Sequence, residues 1–572
     1  MYVLEPGRNN SCACEVKLKM KKTTQTPLPG ADGASAADLS QPASARQNGK
    51  ALRHFAQAVT LHLRADREGA LAELDATEEN GGDAAQVNAA RGHIQFELKR
   101  FEDAACSYSR LCEIDPQNSE TRFLLGLCYH NLGHHAEALE AFRTVLKKNP
   151  SHLQAQLAAG TCLLNLNKHK EALEAFTAAQ SLAPDSEAAL FGQAVALQMG
   201  WSFEDAAALY QRILQRNPAA EDSLVNMISI GLHRKDYDLV QSYSDRLLAL
   251  RPGSPAALEG LAAAAFVRQD LDAAAAHTLK LTEIAPAVYD NWFNLGVAYQ
   301  KQDRHRDALA AYTRAIQLRP EAIFAHINLG VVYQALDELA PARASFEQAS
   351  KFAPDRDDLK FHIAWIAERQ GSPAEAEELY AQLVEKNPDL ENAWFRLGYL
   401  RLDRGDAAAS VTPFEKCVEK RADWAEAEIN LALAHWRVGQ FAQSEVVLQK
   451  LHARHPESID AVKGLAETAL KLNQPEQALR YHKILIEKGE ATPQVLYNSG
   501  VLAHQLNDPA AAAALYRGAL EAQPDFPEAL LNLGHALEAL GQTEDARESW
   551  IKALGVKPEL ANDYFLPRPV EN

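Results

Sequence analysis

Seven cysteines, at 12, 14, 106, 112, 128, 162 and 417, and the trio His130, His134 and His135 are the side chains whose types could hold a metal or carry redox chemistry in this 572-residue chain. An odd cysteine count without any C-x2-C pair opposes both a disulfide framework and a zinc cluster. His130 and His134 stand at i, i+4, a helical spacing able to grip a cation. No cysteine or further acidic ligand follows at matching spacing, so no metal is expected. No phosphate-binding glycine loop, H-E-x-x-H string or G-x-S-x-G elbow occurs, so neither an enzyme nor a cofactor is expected.

The remaining chemistry is that of binding. The formal net charge is −18, which repels phosphate backbones and argues against nucleic acid. It favours partners with basic segments. No apolar run is long enough to span a membrane and no secretory leader is evident. A cytoplasmic protein is the simplest expectation.

The elements that must position any binding residues repeat. In DNWFNLGVAYQKQDRHRDALAAYTRAIQLRP, from Asp290 to Pro320, Trp292, Leu295, Gly296 and Tyr299 fall on one helical face. Ala308, Tyr312 and Ala315 do so on a second helix, and Pro320 stops it. With Tyr289 as position 1, steps of 34 residues yield fifteen units over 51–560 without insertion. Position 8 is Gly or Ala in fourteen of them, position 20 is Ala in twelve and position 32 is Pro in twelve, so the register is not accidental. Small residues at 8 and 20 let two helices cross closely, while bulky ones at 4, 7, 11 and 24 fill the gaps. One unit, 221–254, carries Ile228 and Val240 at the small positions and Gly231 at a bulky one, a volume exchange. The first unit ends in Glu-Asn-Gly-Gly, as a capping repeat would.

The run W-x2-L-G-x2-Y…A-x3-Y-x2-A…P resembles the tetratricopeptide repeat. The resemblance implies an all-α, right-handed α-solenoid of fifteen 34-residue helix-turn-helix repeats and a protein-binding scaffold. Residues 1–50 are expected to be a disordered tail, with 1–19 a misassigned start before Met20, and 561–572 a short C-terminal tail. Tyr564, Phe565 and Leu566 are expected to fold back on the last hairpin. The alternative is that this face meets another copy of the chain.

In that family, positions 2, 5, 6, 9, 12 and 13 of the first helix line a concave surface. Here this implies an aromatic and apolar lining of Phe293, Phe361, Trp365, Phe395, Tyr399 and Trp436. A row of amides, Asn226, Asn294, Asn328, Asn430, Asn498 and Asn532, is similar to the asparagine ladder in the repeat region of O-linked N-acetylglucosamine transferases, and would hold a peptide backbone. No catalytic domain accompanies it. His362 and Arg396 interrupt the row and are expected to meet a ligand carboxylate. Asp222, Asp290, Asp358, Glu426, Asp460 and Glu528 offer an acidic edge to a basic segment. The alternatives are a targeting subunit of a separately encoded enzyme, such as a protein glycosyltransferase, and an envelope scaffold for polysaccharide export.

Overall fold

A computed structural model of the chain describes residues 43–563, with side chains from 49 to 561. Among the described residues it holds thirty α-helices, one closing 3-10 turn and no strand. The helices fall in consecutive pairs. From Ser119 to Pro527, each first helix starts at position 1 of the 34-residue register, and the second helices start every 34 residues from Arg67 to Thr543. The chain is an all-α solenoid of helical hairpins. It divides into two compact units, one ending at Leu318 and the other starting at Arg319. Eight pairs lie in the first unit; seven pairs and the 3-10 turn Pro558–Asp563 lie in the second.

Position 8 meets position 24 of its own hairpin. A methyl on Gly296 would stand 2.6 Å from Tyr312, on Gly330 2.8 Å from Phe346, and on Gly398 3.0 Å from Phe414. Ala308, Ala342 and Ala376 at position 20 are fully enclosed. In 221–254 the volumes are traded. Ile228 and Val240 are buried, and the bulk they add is matched by Gly231, enclosed by Leu239 and Val240, by Ser244 at position 24, and by Gly260 of the next repeat.

Two devices end the helices. Every turn between the two helices of a pair has positive φ at position 15, carried by glycine in five, such as Gly133, and by residues such as Lys99, Asn167 and Trp201 in ten. At Gly133 the amide donates to His130 and the next one, of His134, to Tyr129, which closes the last carbonyls of the helix. Between pairs, the residue before proline is forced extended: Asp115 and Asn149, with ψ near 86°, precede Pro116 and Pro150. Where Gly82 and Glu490 replace that proline, the left-handed Gly81 and Gly489 end the helix instead.

Residues 43–50, expected to be part of a tail, are helical. The first helix spans Ala43–Leu63, because the good helix formers that follow Pro42 continue it backwards; residues 1–42 lie outside the described residues. Leu560 in the closing turn is buried against the last hairpin. Tyr564, Phe565 and Leu566 also lie outside the described residues.

Candidate peptide-binding site

The first helices of the second unit carry the candidate lining. They include α19 (Asp357–Arg369), α21 (Glu391–Asp403) and α23 (Ala425–Arg437). The position-5 aromatics pack into their hairpins. Phe293 is 1% exposed and Phe395 is buried, because each ring packs on the position-24 ring of its own hairpin, Tyr312 at 5.8 Å and Phe414 at 5.9 Å. Phe361 does the same with Tyr380 at 5.5 Å and is half-buried. The channel role expected of Phe293 and Phe395 is thus corrected: the ring opposite was too far along the sequence to be weighed.

Position 9 is different. Val297 and Val501 are enclosed there, whereas over three consecutive repeats of the second unit Trp365 is half-buried, Tyr399 is 41% exposed and Leu433 is 37% exposed. Trp436, at position 12 of the same helix as Leu433, is half-buried, and its indole nitrogen is enclosed without an acceptor. A cation lies over each ring: Arg369 over Trp365 at 5.4 Å, Arg396 over Tyr399 at 5.5 Å and Lys471 over Trp436 at 5.6 Å.

The charges expected to meet a ligand carboxylate are engaged within the chain. Arg396 Nε donates to Glu368 Oε2 at 3.0 Å, and its Nη2 donates to Oε1 of the same carboxylate. His362 stacks flat on Phe346 at 4.6 Å, and burial holds its imidazole below the ordinary range against the pull of Asp358. It is therefore neutral at pH 7. Neither is a free cation, a correction that follows from Glu368 and Phe346 lying one repeat earlier.

The asparagines diverge. Asn226 and Asn430 donate to the carbonyls of Asp222 and Glu426, four residues back, at 3.0 and 2.9 Å. Asn532 is buried and donates to the Tyr497 hydroxyl at 3.1 Å. Asn498 accepts from Gln494 at 2.9 Å, and Asn328 is buried. Asn294 is half-buried. An uninterrupted ladder of available amides is not present.

Of the acidic edge, Asp358 pairs with Arg356 and Glu528 with Lys557. In the first unit Glu259, a position-5 acid that sequence reasoning passed over, reaches solvent yet is crowded by protein. Burial, and then the charge of Asp290, hold its carboxyl above the usual range. A cation beside these two acids would relieve their mutual repulsion.

An array of helix pairs with small residues at 8 and 20, repeating every 34 residues, defines a class of helical-repeat proteins. Profiles described as tetratricopeptide repeat match residues 44–119, 163–221 and 463–525, and also 289–321, 325–356, 357–400, 425–450 and 503–549. Together these span more than half of the chain, which belongs to the tetratricopeptide-repeat family. Residues 97–179 match a profile described as anaphase-promoting complex, cyclosome, subunit 3. No curated protein matches significantly. Among solved structures, the APC/C hetero-tetramer Cut9–Hcn1 aligns at 14% identity over 80% of this chain and 96% of that one, with a TM-score of 0.32. YrrB, described as a TPR protein with an unusual peptide-binding site, aligns at 20% identity over 32% and 96%, with a TM-score of 0.29. A tetratricopeptide repeat protein from Parabacteroides merdae ATCC 43184 aligns at 16% identity over 44% and 98%, with a TM-score of 0.31.

Proposed function

We propose that the chain is a protein-interaction scaffold whose second unit seats an extended or helical peptide segment against Trp365, Tyr399, Leu433 and Trp436. The observation that carries this reading is the run of three consecutive repeats in which position 9 presents a large apolar side chain to solvent, Trp365 in part and Tyr399 and Leu433 openly. Rigid aromatic surface bearing one polar atom is the usual anchor of a peptide contact. Asn294 in the first unit, and Asn430 and Asn498 in the second, supply amide groups near the surface. In the first unit, Glu259 and Asp290 offer adjacent carboxylates to a basic ligand segment. Five cysteines are described and all are free thiols, in keeping with a reducing, cytoplasmic setting; no described helix is long and apolar enough to cross a membrane.

The test is selection of a displayed peptide library on the full-length protein, followed by affinity measurement with Tyr399→Ala and Trp436→Ala variants of unchanged helicity. Enriched peptides should weaken at least tenfold on the double variant, about 1.4 kcal/mol. Peptides that bind both proteins equally would reject this surface. A second reading, self-association through the last hairpin, rests on Ile551, which is 71% exposed. Light scattering of wild type and Ile551→Asp decides it, since a concentration-independent monomer mass for the wild type excludes it.

A further inference from the structure

The histidines near residue 130, set aside for want of a third ligand, gain one from the next repeat. His130 lies near the end of α5 (Ser119–Asn131), His135 opens α6 (His135–Lys148), and Cys162 lies in α7 (Leu153–Asn165). One ligand atom from each of His130, His135 and Cys162 lies within 4.8 Å of the other two. Cys162 Sγ stands 3.4 Å from His130 Nδ1. Tetrahedral bond lengths to sulfur and imidazole place two such ligands about 3.6 Å apart, so this edge is already of the right size. The two imidazoles lie with centroids 5.4 Å apart, their planes tilted by 55°. His135 Nδ1 is enclosed without a hydrogen-bond partner, a cost that coordination at this ring would offset. His134 does not join the group; it precedes α6.

We propose that His130, His135 and Cys162 form a three-ligand site for a divalent transition-metal ion of the zinc class, with a fourth position left to water or another donor. One thiolate and two imidazoles suit a borderline-soft ion and not Mg2+ or Ca2+. Burial, with the neighbouring histidines, holds both imidazoles below their ordinary range, so they are neutral donors at pH 7. Burial pushes the Cys162 thiol up to about 12; it keeps its proton until the metal displaces it, releasing one proton to solvent as the metal–sulfur bond forms. The ion would bind the hairpin of 119–152 to the first helix of the next, reinforcing one inter-repeat contact. The other histidine group, His62, His93 and Glu97, has no sulfur, and its carboxylate is already paired with Arg67 at 2.8 Å.

The experiment uses full-length reduced protein carrying Cys12→Ser and Cys14→Ser, stripped of metal and titrated with Co2+ as the optical probe. A thiolate-to-cobalt absorption band should saturate at one ion per chain and vanish when Zn2+ is added. It should be lost in Cys162→Ser and weakened in His135→Gln, and unchanged in His93→Gln and Cys417→Ser. Zn2+ should raise the melting temperature of the parent and not of Cys162→Ser. No band at saturating Co2+, or a band that survives Cys162→Ser, overturns the proposal. Should Cys162→Ser fail to fold, His135→Gln decides, since its side chain is only half-buried: an undiminished band there rejects the site.

Discussion

A methyl added at Gly296 would stand 2.6 Å from Tyr312 Cε1, a ring that is fully enclosed and has nowhere to move. Gly296→Ala should therefore cost about 1–3 kcal/mol, read as a lowered urea midpoint. Gly518, in the helix Pro509–Ala522, has only Leu496 side-chain atoms at 3.6 Å and beyond. The same substitution there should raise the midpoint by about 0.5–1 kcal/mol, since the added methyl meets ordinary contact and a helix interior prefers alanine. At Arg396 the argument is electrostatic. Glu368 is 14% and Arg396 27% exposed at the side chain, so Glu368→Gln leaves a part-buried guanidinium without its counter-charge and should cost about 1.5–3 kcal/mol. The double variant Glu368→Gln, Arg396→Met should recover most of that loss, because an apolar replacement of a buried pair is well tolerated. A double variant no more stable than the single one would show that packing, and not charge, holds this residue.

Elements here are defined by their ends. Proline at position 32 is plain in the sequence, and the left-handed residue at position 15 is glycine in five turns and Asn or Asp in five more, so only the remaining five turns have no local signal. Lys99 and Lys235, with φ of 60° and 57°, carry the steric cost of a Cβ in that region. Lys235→Gly should raise the thermal midpoint, by about 1 kcal/mol in free energy, while Gly133→Ala should lower it by a similar amount. Thermal melts followed by circular dichroism check both signs. The helix starts were legible for a different reason: small residues at 8 and 20 recur in every register step but that of 221–254, and steric exclusion at those two contacts leaves one pairing. The start at Ala43 was hidden because Pro, Ser and Gly upstream read as a tail.

The whole molecule encloses a set of imidazoles. His482, His504 and His535 in the second unit are all held below the ordinary value of 6.5, first by burial; His482 also bonds Ser499 at 3.0 Å. With the folded pKa lowered, the unfolded chain binds protons first, so the stability these groups contribute is complete above the unfolded pKa and declines as pH falls below about 6.5. The melting temperature should fall between pH 7.5 and pH 5.5, and His482→Gln should flatten that slope. A slope unaltered by the substitution would assign the acid sensitivity elsewhere.

The amino-acid sequence alone determined the helical hairpins, their 34-residue register and their family, because the contacts that define a hairpin join residues sixteen or so apart and repeat fifteen times. It also marked position 9 as worth examining. Only the tertiary structure decided that Phe395 is core while Tyr399 is open, that Arg396 is already paired with Glu368, and that Cys162 comes to His130. The pairing of Arg396 and the approach of Cys162 depend on a side chain from an adjacent repeat, and the burial of Phe395 on Phe414 across its own hairpin. Stacking brings residues about thirty positions apart into contact, and a one-dimensional pattern carries no record of which of them meet.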